Sequence, residues 1–182
     1  MGFLDRLFGK QQEKPILERT LQTLRVGDVI SYDDEDCTVE QCIEYHGDGG
    51  AIWWDYLIVN PMQKHWLGVT EDEGLEVMLW DDVPFHPDMP PQLRLSYQGE
   101  EFARAEYGFA DARVTRKSAQ GTLERVEYWD YESDSGKRLG IERWGINEVR
   151  EEQSQMTGTI RSSLGVPIKP YRVKIYQSGD QT

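Results

Sequence analysis

Two segments of the chain carry the same three residues in the same order, Trp54-Asp55-Tyr56 and Trp129-Asp130-Tyr131. After a turn, the first is followed by Trp66-Leu67-Gly68-Val69 and the second by Leu139-Gly140-Ile141. A polar hairpin precedes each copy, and an aromatic stretch comes later in each, Leu79-Trp80 in one and Arg143-Trp144-Gly145 in the other. This is the pattern of one hairpin unit used twice. Two copies fall short of the three or more that a solenoid needs. The expectation is a mostly β fold: two related antiparallel β modules packed as a sandwich or as paired half-barrels, with a short N-terminal helical segment.

The punctuation of the chain sets the module bounds. Phe3, Leu4, Leu7 and Phe8 recur at helical spacing, and Leu17, Leu21 and Leu24 form a second such pattern that begins at Pro15. Residues 1–26 are therefore expected to be an amphipathic start and a helix. After Gly27 the period alternates, so 27–83 reads as a first β module, with turns at Asp33-Asp34-Glu35, His46 to Gly50, Asn60-Pro61 and Glu71-Asp72-Glu73. Pro84, Pro87, Pro90 and Pro91 make 84–92 a connection. Residues 93–176 form the second module, whose Leu93–Tyr107 hairpin parallels the one around Tyr32, and 177–182 a disordered tail. Pro167, in Gly-Val-Pro-Ile, speaks against a continuous central strand there.

The net charge of −13 is concentrated. Residues 27–90 hold sixteen acidic side chains and one base, Lys64, whereas 91–182 balance to zero. Such a segment repels phosphate backbones, so nucleic acid is not an expected partner. A candidate face for a cation or basic partner is made by Asp33, Asp34, Glu35, Asp36, Glu71, Asp72 and Glu73, although a solvated surface accounts for the same residues. Asp33-Asp34-Glu35-Asp36 lacks the spaced ligands and glycine of an EF-hand loop. Cys37 and Cys42 lie five apart on one strand, on opposite faces, and are expected to stay free thiols. His46, His65 and His86 have no zinc-site spacing to them, and no phosphate-binding loop or nucleophile elbow is present. No catalytic residue, metal or cofactor is assigned.

Six tryptophans and nine tyrosines suit a β core better than a ligand face. The repeated aspartates are expected to be held by backbone donors or an arginine, with Arg143 a candidate for either. Trp54, Asp55, Tyr56, Trp129, Asp130 and Tyr131 are thus read as a structural repeat.

Val26-Gly27-Asp28-Val29-Ile30-Ser31-Tyr32, Trp54-Asp55-Tyr56-Leu57, Trp66-Leu67-Gly68-Val69, Glu71-Asp72-Glu73 and Glu142-Arg143-Trp144 resemble a bacterial family known as domain of unknown function 4178. The likeness covers most of residues 24–170. It implies no catalytic residues. It does imply a genomic setting, near membrane-stress proteins of the phage-shock type and polyamine-synthase-like enzymes.

The expected function is a non-catalytic binding or adaptor protein of the bacterial cytoplasm, working with a protein partner. Phe3, Leu4, Leu7 and Phe8 would dock it on that partner or on the inner membrane surface. A two-turn helix is unstable alone in water and forms only by docking. The alternative is an acidic receptor for a polyamine or basic peptide; the third is an enzyme whose site is hidden in the sequence.

Overall fold

The structure, a computed structural model, describes residues 19–72, 74–146 and 158–176. They form eleven strands: β1 Val29–Tyr32, β2 Glu35–Gly47, β3 Ile52–Val59, β4 Lys64–Glu71, β5 Leu75–Asp82, β6 Arg94–Tyr97, β7 Glu100–Arg116, β8 Ala119–Glu132, β9 Arg138–Trp144, β10 Thr159–Ile168 and β11 Val173–Tyr176. All pair antiparallel in one sheet, in the order β11-β1-β2-β3-β4-β5-β10-β9-β8-β7-β6. A further pairing, β2 with β7 from Gln41↔Arg116 to Gly47↔Ala110, joins the sheet to itself. Eight strands, β2 to β5 and β7 to β10, therefore close into a ring.

The two halves of that ring are built alike. Each opens with a tight hairpin of two left-handed residues, Asp33-Asp34 (φ 52° and 63°) between β1 and β2, and Gln98-Gly99 (φ 52° and 80°) between β6 and β7. Two consecutive positive φ values give the turn whose twist matches a hairpin, which favours Asp, Asn and Gly there. The short strand of each hairpin pairs with the beginning of a long one, and the rest of the long strand belongs to the ring. The paired half-barrels expected from the repeat are this arrangement, joined at the β2–β7 and β5–β10 seams.

The outer face of each half is apolar and covered. Tyr56, Ile58, Leu67, Val69 and Val77 pack with Ile30 of β1, Val173 of β11, and Leu21 and Leu24. On the other half Phe102, Trp129, Tyr131, Leu139 and Ile141 pack with Leu95 and Tyr97 of β6, with Val83, and with Phe85 and Met89 of the proline-rich connection. Tyr131 donates its hydroxyl hydrogen to the Gln92 carbonyl at 2.8 Å, which ties that connection down.

Several expectations are corrected. The helix expected from Pro15 is, among the described residues, only a 3-10 turn, Leu21–Thr23. Its earlier residues, with Phe3, Leu4, Leu7 and Phe8, lie outside the described residues, as do 147–157 and the tail. Cys37 and Cys42 share the outer face, because the register of β2 slips between Val39 and Gln41. A one-residue bulge exchanges the two faces of a strand. It places Cys37 and Val39 outside, but Ile43 and Tyr45 inside the ring. The thiols are nonetheless free, being separated along the strand. Finally, β10 runs through Pro167 between β5 and β9; its pairing to β9 ends at Gly165↔Arg138, so Pro167 has a strand neighbour on one side only.

Candidate site inside the ring

Strand alternation decides what the ring encloses. Asp55 on β3 stands opposite Ile43 of β2 and Gly68 of β4, and Asp130 on β8 stands opposite Glu106 of β7 and Gly140 of β9. Each tryptophan and tyrosine of the repeats therefore points outward or toward the seam, and each aspartate points in. Both carboxylates line one interior cavity of about 200 Å³, with Trp53, Trp80, Tyr128, Asp72, Glu106, Arg138, Glu142 and Ser163 among its walls. Eight-stranded barrels have interiors just large enough for packed side chains or one small ligand.

The glycines make that space. A Cβ on Gly68 would lie 2.5 Å from Trp80 Nε1 and 3.2 Å from Asp55 Oδ1. A Cβ on Gly165 would collide with the six-membered ring of the same indole. Trp80 thus lies against two strands whose side chains have been removed to admit it. Gly108 does the same for Tyr128, whose hydroxyl oxygen would be 2.8 Å from a Cβ there. Trp53 stacks on Tyr45 at 4.9 Å between centroids and meets Tyr128 edge-on at 5.2 Å, giving the cavity an aromatic wall.

Five carboxylates line the cavity, those of Asp55, Asp72, Glu106, Asp130 and Glu142, and one guanidinium, that of Arg138. Arg138 is paired with Glu76 at 3.2 Å. Glu142 is well answered: it accepts from Tyr45 Oη (3.0 Å), Trp144 Nε1 (3.0 Å) and Arg161 Nη1 (3.2 Å). Arg161 also bonds Asp82 through Nε at 2.8 Å, and its guanidinium lies 4.2 Å above the Trp66 ring. Burial opposes the charge of Arg161, but Glu142, Tyr45 and Asp55 outweigh it and hold the pKa above its ordinary value. Asp55 accepts one bond, from Tyr45 Oη at 3.3 Å. Asp130 has no hydrogen-bonding partner among the described residues.

Both aspartates are consequently hard to ionise. Enclosure by protein, then the charge of Glu142, push Asp55 up to about 7, against the opposing pull of Arg161 and Tyr45. Enclosure, then Glu142, Glu106 and Asp55, push Asp130 up to about 7, against the opposing pull of Arg138. Both side chains are half-buried, and both line the cavity.

The family described as Domain of unknown function (DUF4178) matches residues 25–156. The chain belongs to that family. An Aquifex aeolicus (strain VF5) protein described as an uncharacterized protein is 26% identical to it over 165 residues, covering 82% of this chain and 89% of that protein. No solved structure matches. The DUF4178 match contains both aspartates and their glycines; Arg161, Ser163 and Gly165 of β10, which complete the ring, lie beyond it.

The DUF4178 repeat is a scaffold on its aromatic side and a site on its acidic side. Trp129, Tyr131 and Tyr56 belong to the outer cores, Trp54 flanks one of them, and Asp55 and Asp130 meet inside. Arg143 holds neither aspartate; it faces outward and pairs with Glu127. Trp80 and Trp144 are not equivalents: the register places Trp80 opposite Gly165 across the β5–β10 seam, while Trp144 lies on β9. The proposed acidic face is not one surface. Lys64, at the start of β4, aligns through Val59 with Thr38 near the beginning of β2, whereas Glu71 ends β4, so the two acidic turns lie at opposite ends. Asp33 is bound by Arg172, Asp34 is 3.5 Å from Lys174, Glu35 accepts from Asn60 and Gln63, and Glu71 accepts from Gln22. Asp36 is exposed, Asp72 reaches the cavity, and Glu73 lies outside the described residues. Among the described residues no group of acids, histidines and cysteines could hold a metal ion, and no helix is long and apolar enough to cross a membrane. Sequence reading missed Glu106, Glu142, Trp80 and Arg161; only strand parity taken across every hairpin could have gathered them.

Proposed function

We propose that this protein is a non-catalytic receptor whose ring interior takes up a small organic cation. The observation that carries the reading is the imbalance of the cavity: Asp55, Asp72, Glu106 and Asp130 line it without an ion pair among the described residues, beside a Glu142 answered by Arg161 and an Arg138 guanidinium paired with Glu76, behind aromatic walls. A carboxylate enclosed without a partner is expensive, and a cation that enters restores its ionised form. The faces of Trp53, Trp80 and Tyr128 add cation–π attraction, which strengthens as water is excluded. A volume of about 200 Å³ equals that of about seven waters, so what enters the ring is a group the size of a small amine or guanidine.

The test is calorimetry and thermal denaturation of the full chain at pH 8 and low salt. Butylamine and methylguanidine are compared with butanol, butyrate and urea of similar size. The cations alone should bind and raise the melting temperature, with affinity falling as salt is added. Absence of heat and of stabilisation with every cation would end this reading. Two carboxyls poised near neutrality in one cavity also suit proton transfer, which favours a second reading as an enzyme. Mass analysis of the amine after long incubation separates the two: a receptor returns it unchanged. Adaptor docking through Phe3, Leu4, Leu7 and Phe8 is a distinct proposal resting on the sequence alone; co-sedimentation with liposomes, with and without residues 1–12, tests it.

A further inference from the structure

The two aspartates repeat one motif, yet only Asp55 is linked by hydrogen bonds to a group that already contains a cation, Arg161, contributed by β10 of the other half. Opposite Glu142, the Arg161 guanidinium sits inside the ring with Glu142 on one side, Asp82 on another and the Trp66 indole beneath it. Tyr45 ties Asp55 to this group by donating toward both Asp55 and Glu142. The chain has thereby filled one station of the site with its own side chain. It also shows what such a station takes: a flat or compact nitrogen cation that donates N–H bonds to carboxylates above an aromatic face.

The equivalent aspartate of the other half, Asp130, has no such occupant. Its cross-strand neighbour Glu106 adds a second negative charge at the cavity mouth, where Tyr128 Oη donates to it at 2.7 Å. The position of Asp55's neighbour, by contrast, is held by the apolar Ile43. The cation nearest to Asp130, Arg138, is held by Glu76 and makes no ion pair with it. We infer that the ligand's cationic head is a single primary ammonium or guanidinium that binds Asp130 and Glu106, while Arg161 keeps the Asp55 station closed to it. This rests on the reading of the ring as a cation receptor and narrows it to a single-headed ligand with N–H donors, whose short apolar tail lies along Trp80 and Met78.

Calorimetry on the full chain with butylamine, butane-1,4-diamine and tetramethylammonium separates the possibilities. Butylamine should bind, the diamine should bind no more than about threefold tighter, and tetramethylammonium, which has no N–H, should bind at least about tenfold more weakly. Asp130→Asn should weaken butylamine at least about tenfold, and Asp55→Asn less than about threefold. A diamine bound more than tenfold tighter than butylamine, or equal losses in the two aspartate variants, overturns the single-station assignment while leaving the receptor reading in place. No binding of any cation overturns both. The comparison of ligands on the unaltered protein needs no variant to fold. Arg161→Gln offers a further check, since opening the Asp55 station should create a diamine preference of at least about tenfold.

Discussion

The Asp55 half and the Asp130 half of the ring share a strand plan and differ in chemistry. Asp55 accepts from Tyr45 and lies near the Glu142–Arg161 pair that β9 and β10 contribute; Asp130 has no such donor, and another acid, Glu106, stands beside it where Ile43 stands beside Asp55. The difference teaches that the repeat preserved what the fold requires, the outward aromatics and the glycines that face each aspartate, and left the inward residues free to diverge. A doubled hairpin unit can thus give, from the same three-residue motif, one acid with a hydrogen-bond donor and an arginine nearby and one acid with neither.

The sharpest way to break the contrast is to remove the internal cation. Arg161→Gln takes one of three donors from Glu142 and the guanidinium off Trp66; Glu142 keeps Tyr45 and Trp144 and Asp82 is exposed, so the loss should be about 2 kcal/mol. Urea denaturation should show that loss. Because the counterpart Arg138 pairs with a more exposed glutamate, Arg138→Gln should cost no more than about 1 kcal/mol. Equal losses in the two variants would mean that the halves are balanced alike.

A second contrast is read through pH. Asp130 sits at about 7 because enclosure and then Glu142, Glu106 and Asp55 oppose its charge, whereas an aspartate in the unfolded chain titrates near ~3.9. Between about pH 4 and pH 7 the native state holds a proton that the unfolded chain has released. Stability from this group therefore falls as pH rises through that window, by up to about 1.4 kcal/mol per unit, and is level above it. Asp130→Asn removes the slope, so the variant should gain on the wild type at pH 8 and match it near pH 4. Asp55 moves in the same direction, but its replacement also forfeits the attraction of Arg161, so Asp55→Asn should gain less at pH 8. A wild-type profile unchanged by Asp130→Asn would show that this carboxyl is not enclosed.

What the sequence disclosed follows the same division. The mostly β fold, the doubled unit, the paired hairpins and the proline-rich break at 84–92 were legible because each depends on local spacing and turn chemistry, as at Asp33-Asp34 and Gln98-Gly99. The ring was not legible, since closure depends on a bulge near Glu40 that turns Ile43 and Tyr45 inward, and on β1 ending its pairing at Thr38, which leaves the rest of that edge of β2 to β7. With that bulge missed, the odd positions of β2 read as one face and the thiols as opposed. The acidity of residues 27–90 pointed to a charged surface, but the carboxylates that meet come from both halves, Glu106, Asp130 and Glu142 from the segment whose net charge is zero. Net charge by segment does not register a cavity assembled across two segments. Arg143 was a reasonable partner for an enclosed acid by type, and one residue of strand parity sends it outward to Glu127.

The smallest effect that still separates the halves lies in their glycines. Gly68 and Gly140 hold equivalent places opposite the two aspartates. A methyl group on Gly68 would meet Trp80 Nε1 at 2.5 Å and Asp55 Oδ1 at 3.2 Å, so either the indole or the carboxylate has to move. On Gly140 the nearest atoms are Ser163 Oγ at 3.1 Å, a side chain that can rotate away, and then Asp130 Oδ1 and the rim of Trp80 at 3.5 Å, ordinary contact distances. Overfilling a packed interior costs about 1–3 kcal/mol, and relief depends on what can yield. Gly68→Ala should therefore lose about 2 kcal/mol in denaturant and Gly140→Ala less than about 1 kcal/mol. The indole N–H resonance of Trp80 carries the distinction further, because a displaced ring shifts it in the first variant and leaves it in place in the second. If both alanines were equally tolerated, Trp80 would not be wedged against β4, and the cavity would owe its room to looseness rather than to the missing side chains.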